Sequence, residues 1–116
     1  MVILWLSRHE PITAQREELE RLFPRHTLRL DSQAFADVDD ILRRIQRYRA
    51  DEVVIVAPLT LTAKLLDRVR PLWPNMREVP EAHAKAHPDS CIPAPRGRWM
   101  EFTGFRRLVS KCSLKN

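Results

Sequence analysis

The chain has 116 residues, a formal charge of +5 and an apolar fraction of 44%, enough for one domain with a modest core. Three Trp and four Phe argue against disorder, and no apolar run approaches the roughly 18–20 residues of a membrane span. No basic segment precedes the first apolar run, so a cytoplasmic chain without a signal peptide is expected.

Val2-Ile3-Leu4-Trp5-Leu6 is a short apolar run with polar residues after it, the pattern of a buried strand. It stops abruptly in Ser7-Arg8-His9-Glu10. Thr13 is the expected N-cap of a first helix, with Glu17 and Glu18 where negative charge is favoured. Leu19, Leu22 and Phe23 share one face, and Pro24 enforces the stop. His26–Leu30 alternates weakly and reads as a second, more exposed strand.

Asp31-Ser32-Gln33 follows as a polar loop. Asp37 opens a second helix, with Asp39 and Asp40 in its first turn and Val38, Ile41, Leu42 and Ile45 as its buried stripe. Arg43, Arg44, Arg47 and Arg49 load its far end, as the helix dipole prefers. A solvated helix face is favoured there over a phosphate site.

Val53–Ala57 is a β-branched run, expected to be a strand covered on both faces. Pro58-Leu59-Thr60 reads as its exit loop, and 61–69 as a third helix carrying Leu65, Leu66 and Val69 inward. Leu72–Val79 reads as another strand despite Pro74. From 80 to 97 the texture changes: Pro80, Pro88, Pro93 and Pro95 predict a long irregular loop or flap. Arg98–Lys111 restores alternation. One face would carry Trp99, Glu101, Thr103 and Phe105, the other Met100, Phe102, Arg106 and Leu108, with Gly104 marking a bulge.

The alternation of strands and helices implies one α/β domain over 1–116. Its expected form is a Rossmann-like, three-layer sandwich with a mainly parallel sheet. Several chemistries are then disfavoured. With only Gly97 and Gly104, neither a dinucleotide fingerprint nor a Walker A loop can exist. No nucleophile elbow is present. His83 and His87 have helical i, i+4 spacing, but no HExxH glutamate accompanies them and Pro88 follows, so no metal is expected. Cys91 and Cys112 form no CxxC and read as free thiols.

What remains is a set of strand-end loops, where open α/β sheets bind ligands. Ser7, Arg8 and His9 follow the first strand; Asp31, Ser32 and Gln33 the second; Pro58, Leu59, Thr60 and Thr62 the third. Arg96 and Arg98 stand near the flap. Helix starts at Thr13 and near Thr60 would add backbone N–H donors. The set suits a nucleotide with several phosphates. Each residue also has a plain structural reading: Ser7 as a turn cap, Arg8 as an ion-pair partner of Glu10 or Glu17, His9 as a structural histidine.

VILWLSRHEPITAQREELERL resembles the opening of the small CRISPR-associated (Csx-type) proteins of type III systems. In those, a strand is followed by a Ser-His or Ser-Arg-His element and a helix often introduced by Thr-Pro-x-Gln. Ser7-Arg8-His9 and Thr13-Ala14-Gln15 stand at corresponding places, without the Pro. Val53–Leu59 and Trp99–Leu108 also resemble these proteins.

The family is related to CARF domains, and several members are ring nucleases. The resemblance therefore implies binding of a cyclic oligoadenylate, commonly cyclic tetra-adenylate. It implies metal-independent cleavage to linear products with a 2′,3′-cyclic phosphate. It also implies a homodimer whose two-fold axis matches the ring. Arg8 would stabilise charge, His9 would act as general base or acid, and Ser7 would hydrogen-bond the scissile phosphate. Thr60 and the 31–33 loop would bind adenosine or ribose, and the 80–97 segment would close over the ring. No cofactor, membrane or long nucleic acid is expected. Two alternatives stay open: a non-catalytic sensor or sponge for the same ligand, and an RNA- or protein-interaction domain using the Arg43–Arg49 face.

Overall fold

A computed structural model describes residues 1–110. Lys111 at the end of the expected last strand, and Cys112, lie outside the described residues. Six strands form one mixed, largely parallel α/β sheet in the order β2-β1-β3-β4-β6-β5, strongly curled into a half-barrel.

β1 (Val2–Leu6) lies between β2 (Thr27–Asp31) and β3 (Glu52–Ile55), parallel to both. The helices between them divide over the two faces. α1 (Thr13–Leu22) packs Leu19 against Ile3, Trp5 and Val54. α2 (Val38–Arg47) and α3 (Leu59–Leu65) bring Ile41 and Leu65 against Leu4, Leu6, Val53 and Ile55. Alternate residues of β1 and β3 thus serve opposite cores, as a pleated strand covered on both faces requires.

α2 matches its sequence signals closely. Asp37 is its N-cap and accepts from the Asp40 backbone N–H at 2.8 Å, while Val38, Ile41, Leu42 and Ile45 join the core. Arg44 departs from the expected solvated face. It is 5% exposed and ion-paired with Asp31 and Asp40, because the α2 axis turns this one arginine under the loop after β2.

α1 starts one residue earlier than the Thr13 cap predicts. Ile12 is the N-cap, and its N–H donates to Gln15 Oε1 at 2.9 Å. The Ala14 N–H of the first turn goes to the Asp89 carbonyl at 3.0 Å. Leu22 is exposed rather than buried, since Leu19 and Phe23 already fill the space against the sheet. α3 begins at Leu59, directly after Pro58, and ends at Leu65, so the expected exit loop is its first turn.

β4 (Leu72–Val79) is a strand in spite of Pro74. It pairs with β3 at one position only, Val54 with Leu72, whereas on its other side it pairs antiparallel with β6 (Arg98–Arg107) along its whole length. Pro74 therefore stands where no N–H is needed on the β3 side.

The 80–97 segment is ordered structure, not a flap. It forms α4 (Glu81–Ala86) and the edge strand β5 (Cys91–Ala94), paired antiparallel with β6. Its prolines sit at the N-cap of α4, in the turn after it, on the edge strand and in the hairpin turn, all places that spare a missing N–H. Arg96 (φ 66°) and Gly97 (φ 71°) are both left-handed, the geometry of a tight hairpin turn that matches the strand twist.

The register of β6 against β4 slips between Asn75 and Met76, opposite Phe102–Gly104, and Gly104 takes φ 132°. This is the expected bulge. It breaks the strict alternation of faces: Phe102 and Phe105 meet edge-on with centroids 4.9 Å apart, instead of pointing oppositely.

Candidate functional site

The order β2-β1-β3 means that the chain leaves β1 to one side for β2 and returns across it for β3. A crevice forms outside the carboxyl ends of strands at such a reversal. Ser7, Arg8 and His9 emerge from β1 there, beside Val56, whose N–H donates to the Leu6 carbonyl at 3.1 Å.

The turn after β1 is held at both ends. Trp5 Nε1 donates to the His9 carbonyl at 2.8 Å, and the His9 N–H donates to Ser7 Oγ at 3.2 Å. Ser7 is buried, whereas Arg8 and His9 are exposed. The backbone of His9 is therefore fixed while its imidazole reaches into solvent.

Two adjoining clefts share Ser7, His9 and Val56. The smaller, about 460 Å³, adds Arg8, Gln33, Phe35, Pro58 and Leu61. The larger, about 570 Å³, is mostly apolar: Trp5, Trp73, Pro74, Met76, Ile92 and Pro93 form its walls, with Glu10 and Gln15 as its other polar groups. It exists because β4 leaves β3 after Leu72 and opens a gap beside Val56. One side of the site thus sets Ser7, Arg8, His9 and Gln33 on an otherwise apolar lining, and the other is broader and mostly apolar.

Of the residues expected at the site, Ser7, Arg8, His9, Gln33 and Pro58 come together around the smaller cleft. Asp31 lies beneath it as a buried structural carboxylate, accepting from the Gln33 N–H at 3.1 Å and the Tyr48 hydroxyl at 3.3 Å, with Arg44 Nη1 at 3.5 Å. Ser32, Leu59 and Thr60 are exposed next to the site but line neither cleft. Thr62 is buried and turns its hydroxyl back to the Pro58 carbonyl at 3.1 Å. Arg96 and Arg98 are at the tip of the β5–β6 hairpin, where Arg98 pairs with Glu78, and line neither cleft.

The apolar wall went unread in the sequence. Trp73 and Met76 look like ordinary strand residues, and Ile92 and Pro93 fall in the segment expected to be irregular. The nearest signal is Pro74, which marks where β4 can no longer be a central strand.

The Arg44 network buttresses the smaller cleft. Its guanidinium donates to the Gln33 and Ala34 carbonyls at 2.9 and 2.7 Å and stands 5.5 Å from the Phe35 ring centroid. The Ala36 N–H and then Arg44 hold the Asp40 carboxyl below the ordinary aspartate value.

A second polar cluster lies away from these clefts. His83 of α4, Cys91 of β5 and Glu101 of β6 bring their ligand-type atoms within 4.8 Å of one another. His83 Nε2 lies 2.6 Å from Glu101 Oε2, and Arg77 Nη2 2.5 Å from Oε1. The hydrogen bonds from His83 and Arg77 hold the Glu101 carboxyl down to about 2.

No helix among the described residues is long and apolar enough to cross a membrane. No family model, curated protein or solved structure matches the chain.

Proposed function

We propose that the chain binds a cyclic oligoadenylate across the two clefts and cleaves it without a metal. The observation that carries this reading is the join of a cleft holding Ser7, Arg8 and His9 to a largely apolar one in which Trp73 is a partly exposed aromatic ring. A nucleotide presents both surfaces at once: phosphates for guanidinium and hydroxyl groups, and base faces for stacking on aromatic rings. The resemblance of the first strand and its exit to the Csx-type ring nucleases supplies the ring. A Rossmann-like, CARF-like arrangement accords with a site at the β1–β3 reversal.

In this reaction a ribose 2′-oxygen attacks the adjacent phosphorus. The new O2′–P bond forms as the P–O5′ bond breaks, leaving a 2′,3′-cyclic phosphate and a 5′-hydroxyl. His9 takes the 2′-hydroxyl proton or delivers one to the leaving O5′. Arg8 neutralises charge building on the phosphorane oxygens. The Ser7 hydroxyl already accepts from the His9 N–H, so its own hydrogen is left to bond a phosphate oxygen. Two copies related by a two-fold axis would present the same groups to opposite sides of a four-nucleotide ring. Val56, 41% exposed, and Leu59, 78% exposed, would form part of the surface between them.

A second reading, a sensor or sponge that binds the ring uncut, is favoured by one observation. Among the described residues no side chain hydrogen-bonds the His9 imidazole, whereas a general base is ordinarily oriented by a third group.

Incubation with cyclic tetra-adenylate separates the two. Linear product ending in a 2′,3′-cyclic phosphate, formed equally with and without added magnesium, is the expected result. Tight binding with no product would establish the second reading. Neither product nor binding would sink both.

A further inference from the structure

We infer that His83, Cys91 and Glu101 form a zinc site that staples α4 to the β5–β6 hairpin. The three residues come from three different elements, and their ligand atoms converge within 4.8 Å. Imidazole, thiolate and carboxylate are all zinc ligands, and three protein groups leave a fourth place for water or a further side chain. His87 is at hand for it, its ring centroid 4.5 Å from that of His83.

Two of the three spacings lie within about 0.8 Å of tetrahedral zinc geometry. Tetrahedral zinc with ordinary bond lengths puts sulfur and oxygen about 3.6 Å apart. Cys91 Sγ and Glu101 Oε2 are 3.9 Å apart. Nitrogen and oxygen ligands would be about 3.4 Å apart. His83 Nε2 and Glu101 Oε2 are at 2.6 Å, because a hydrogen occupies the place of the metal. On binding, that hydrogen moves to the other ring nitrogen or to solvent, and the Cys91 thiol releases its proton. Arg77 holds Oε1, so Oε2 is the oxygen presented to the metal, the usual role of an outer partner.

The fold gives a reason for such a staple. The core at this end consists of Val79, Ala84 and Cys91 with Trp99 packed against them, and α4 has six residues, too short to be stable alone. A structural metal compensates for a small core. Ile92 and Pro93, the two residues after Cys91, wall the larger cleft. The staple therefore fixes that wall, although the inference itself stands whether or not the cleft binds a nucleotide.

The test uses the full chain with Cys112→Ser, which leaves Cys91 as its single thiol. The chelator-treated protein is titrated with zinc, and separately with cobalt(II) followed by absorption. One zinc per chain, a raised thermal midpoint and a thiolate-to-cobalt charge-transfer band are expected. Cys91→Ser should abolish the band, and Glu101→Gln should weaken zinc roughly tenfold or more. Circular dichroism of the metal-free variants checks that they fold, and in one that does not, the band in the Cys112→Ser parent decides alone. Absence of that band, or zinc affinity unchanged in a folded Cys91→Ser protein, would overturn the inference. Nucleotide binding is not part of the readout, so failure here is distinct from failure of the ring-nuclease reading.

Discussion

Trp5 joins the core to the site: its ring packs edge-on against Phe105, with centroids 6.3 Å apart, and its indole N–H donates to the His9 carbonyl at 2.8 Å. A residue 3% exposed thereby fixes the chain position from which an exposed imidazole projects. Trp5→Phe should keep much of the packing and lose the hydrogen bond. A cost of about 1–3 kcal/mol is expected in urea unfolding. Faster amide exchange at His9 should accompany it. Unchanged exchange would show that the turn is held without Trp5.

Arg44 is the centre of a buried network. Truncation to Ala would leave Asp31 and Asp40 without their cation and the Gln33 and Ala34 carbonyls without a donor. A loss of about 3–5 kcal/mol is expected, as for other broken buried ion pairs. Arg43, Arg47 and Arg49 are exposed on the same helix, and Ala there should cost far less in the same denaturation series. Equal effects would mean that burial of Arg44 does not set the difference.

Acid should act on the same network. The Ala36 N–H and Arg44 depress the folded Asp40 carboxyl below its ordinary value of 3.8. The unfolded chain therefore takes up the proton first as pH falls. The stabilisation is complete above the ordinary value and disappears as pH drops toward the folded one. Asp40→Asn should flatten the fall in thermal midpoint below about pH 5. A slope identical to that of the parent would refute the assignment.

Arg8 and His9 should differ in what their loss removes: affinity and turnover together for Arg8, turnover alone for His9. Arg8→Ala should weaken cyclic tetra-adenylate binding by about 1.5–3 kcal/mol, the size of a lost hydrogen bond to a charged group. His9→Ala should leave affinity nearly unchanged and lower turnover roughly 10²–10⁴-fold. If turnover survives His9→Ala, proton transfer belongs to another group. If affinity survives Arg8→Ala, the phosphates lie elsewhere.

Much of the fold is legible residue by residue. Asp37 marks the start of α2, the β-branched run marks β3, and the apolar run ending at Ser7 marks both β1 and the position of the site. Gly104 marks the bulge. Where local reading fails, the reason is a contact from far along the chain. Proline-rich 80–97 looks irregular because α4 and β5 gain their order from packing on β6. Arg44 looks like its exposed neighbours because only the returning loop after β2 covers it.

The same division holds for the site. By itself the sequence determines that hydroxyl, guanidinium and imidazole groups end a buried strand, because hydrophobic periodicity is local and strand ends are where it stops. Only the tertiary structure decides what faces them. The departure of β4 from β3 after Leu72 opens the larger cleft, and the hairpin turn at Arg96 and Gly97 carries Arg96 and Arg98 away from it. The gathering of His83, Cys91 and Glu101 likewise follows from strand pairing: Cys91 stands opposite Glu101 across the hairpin, and α4 lays His83 over both. Register and crossover are set by the packing of the whole chain, and no spacing within one segment encodes them.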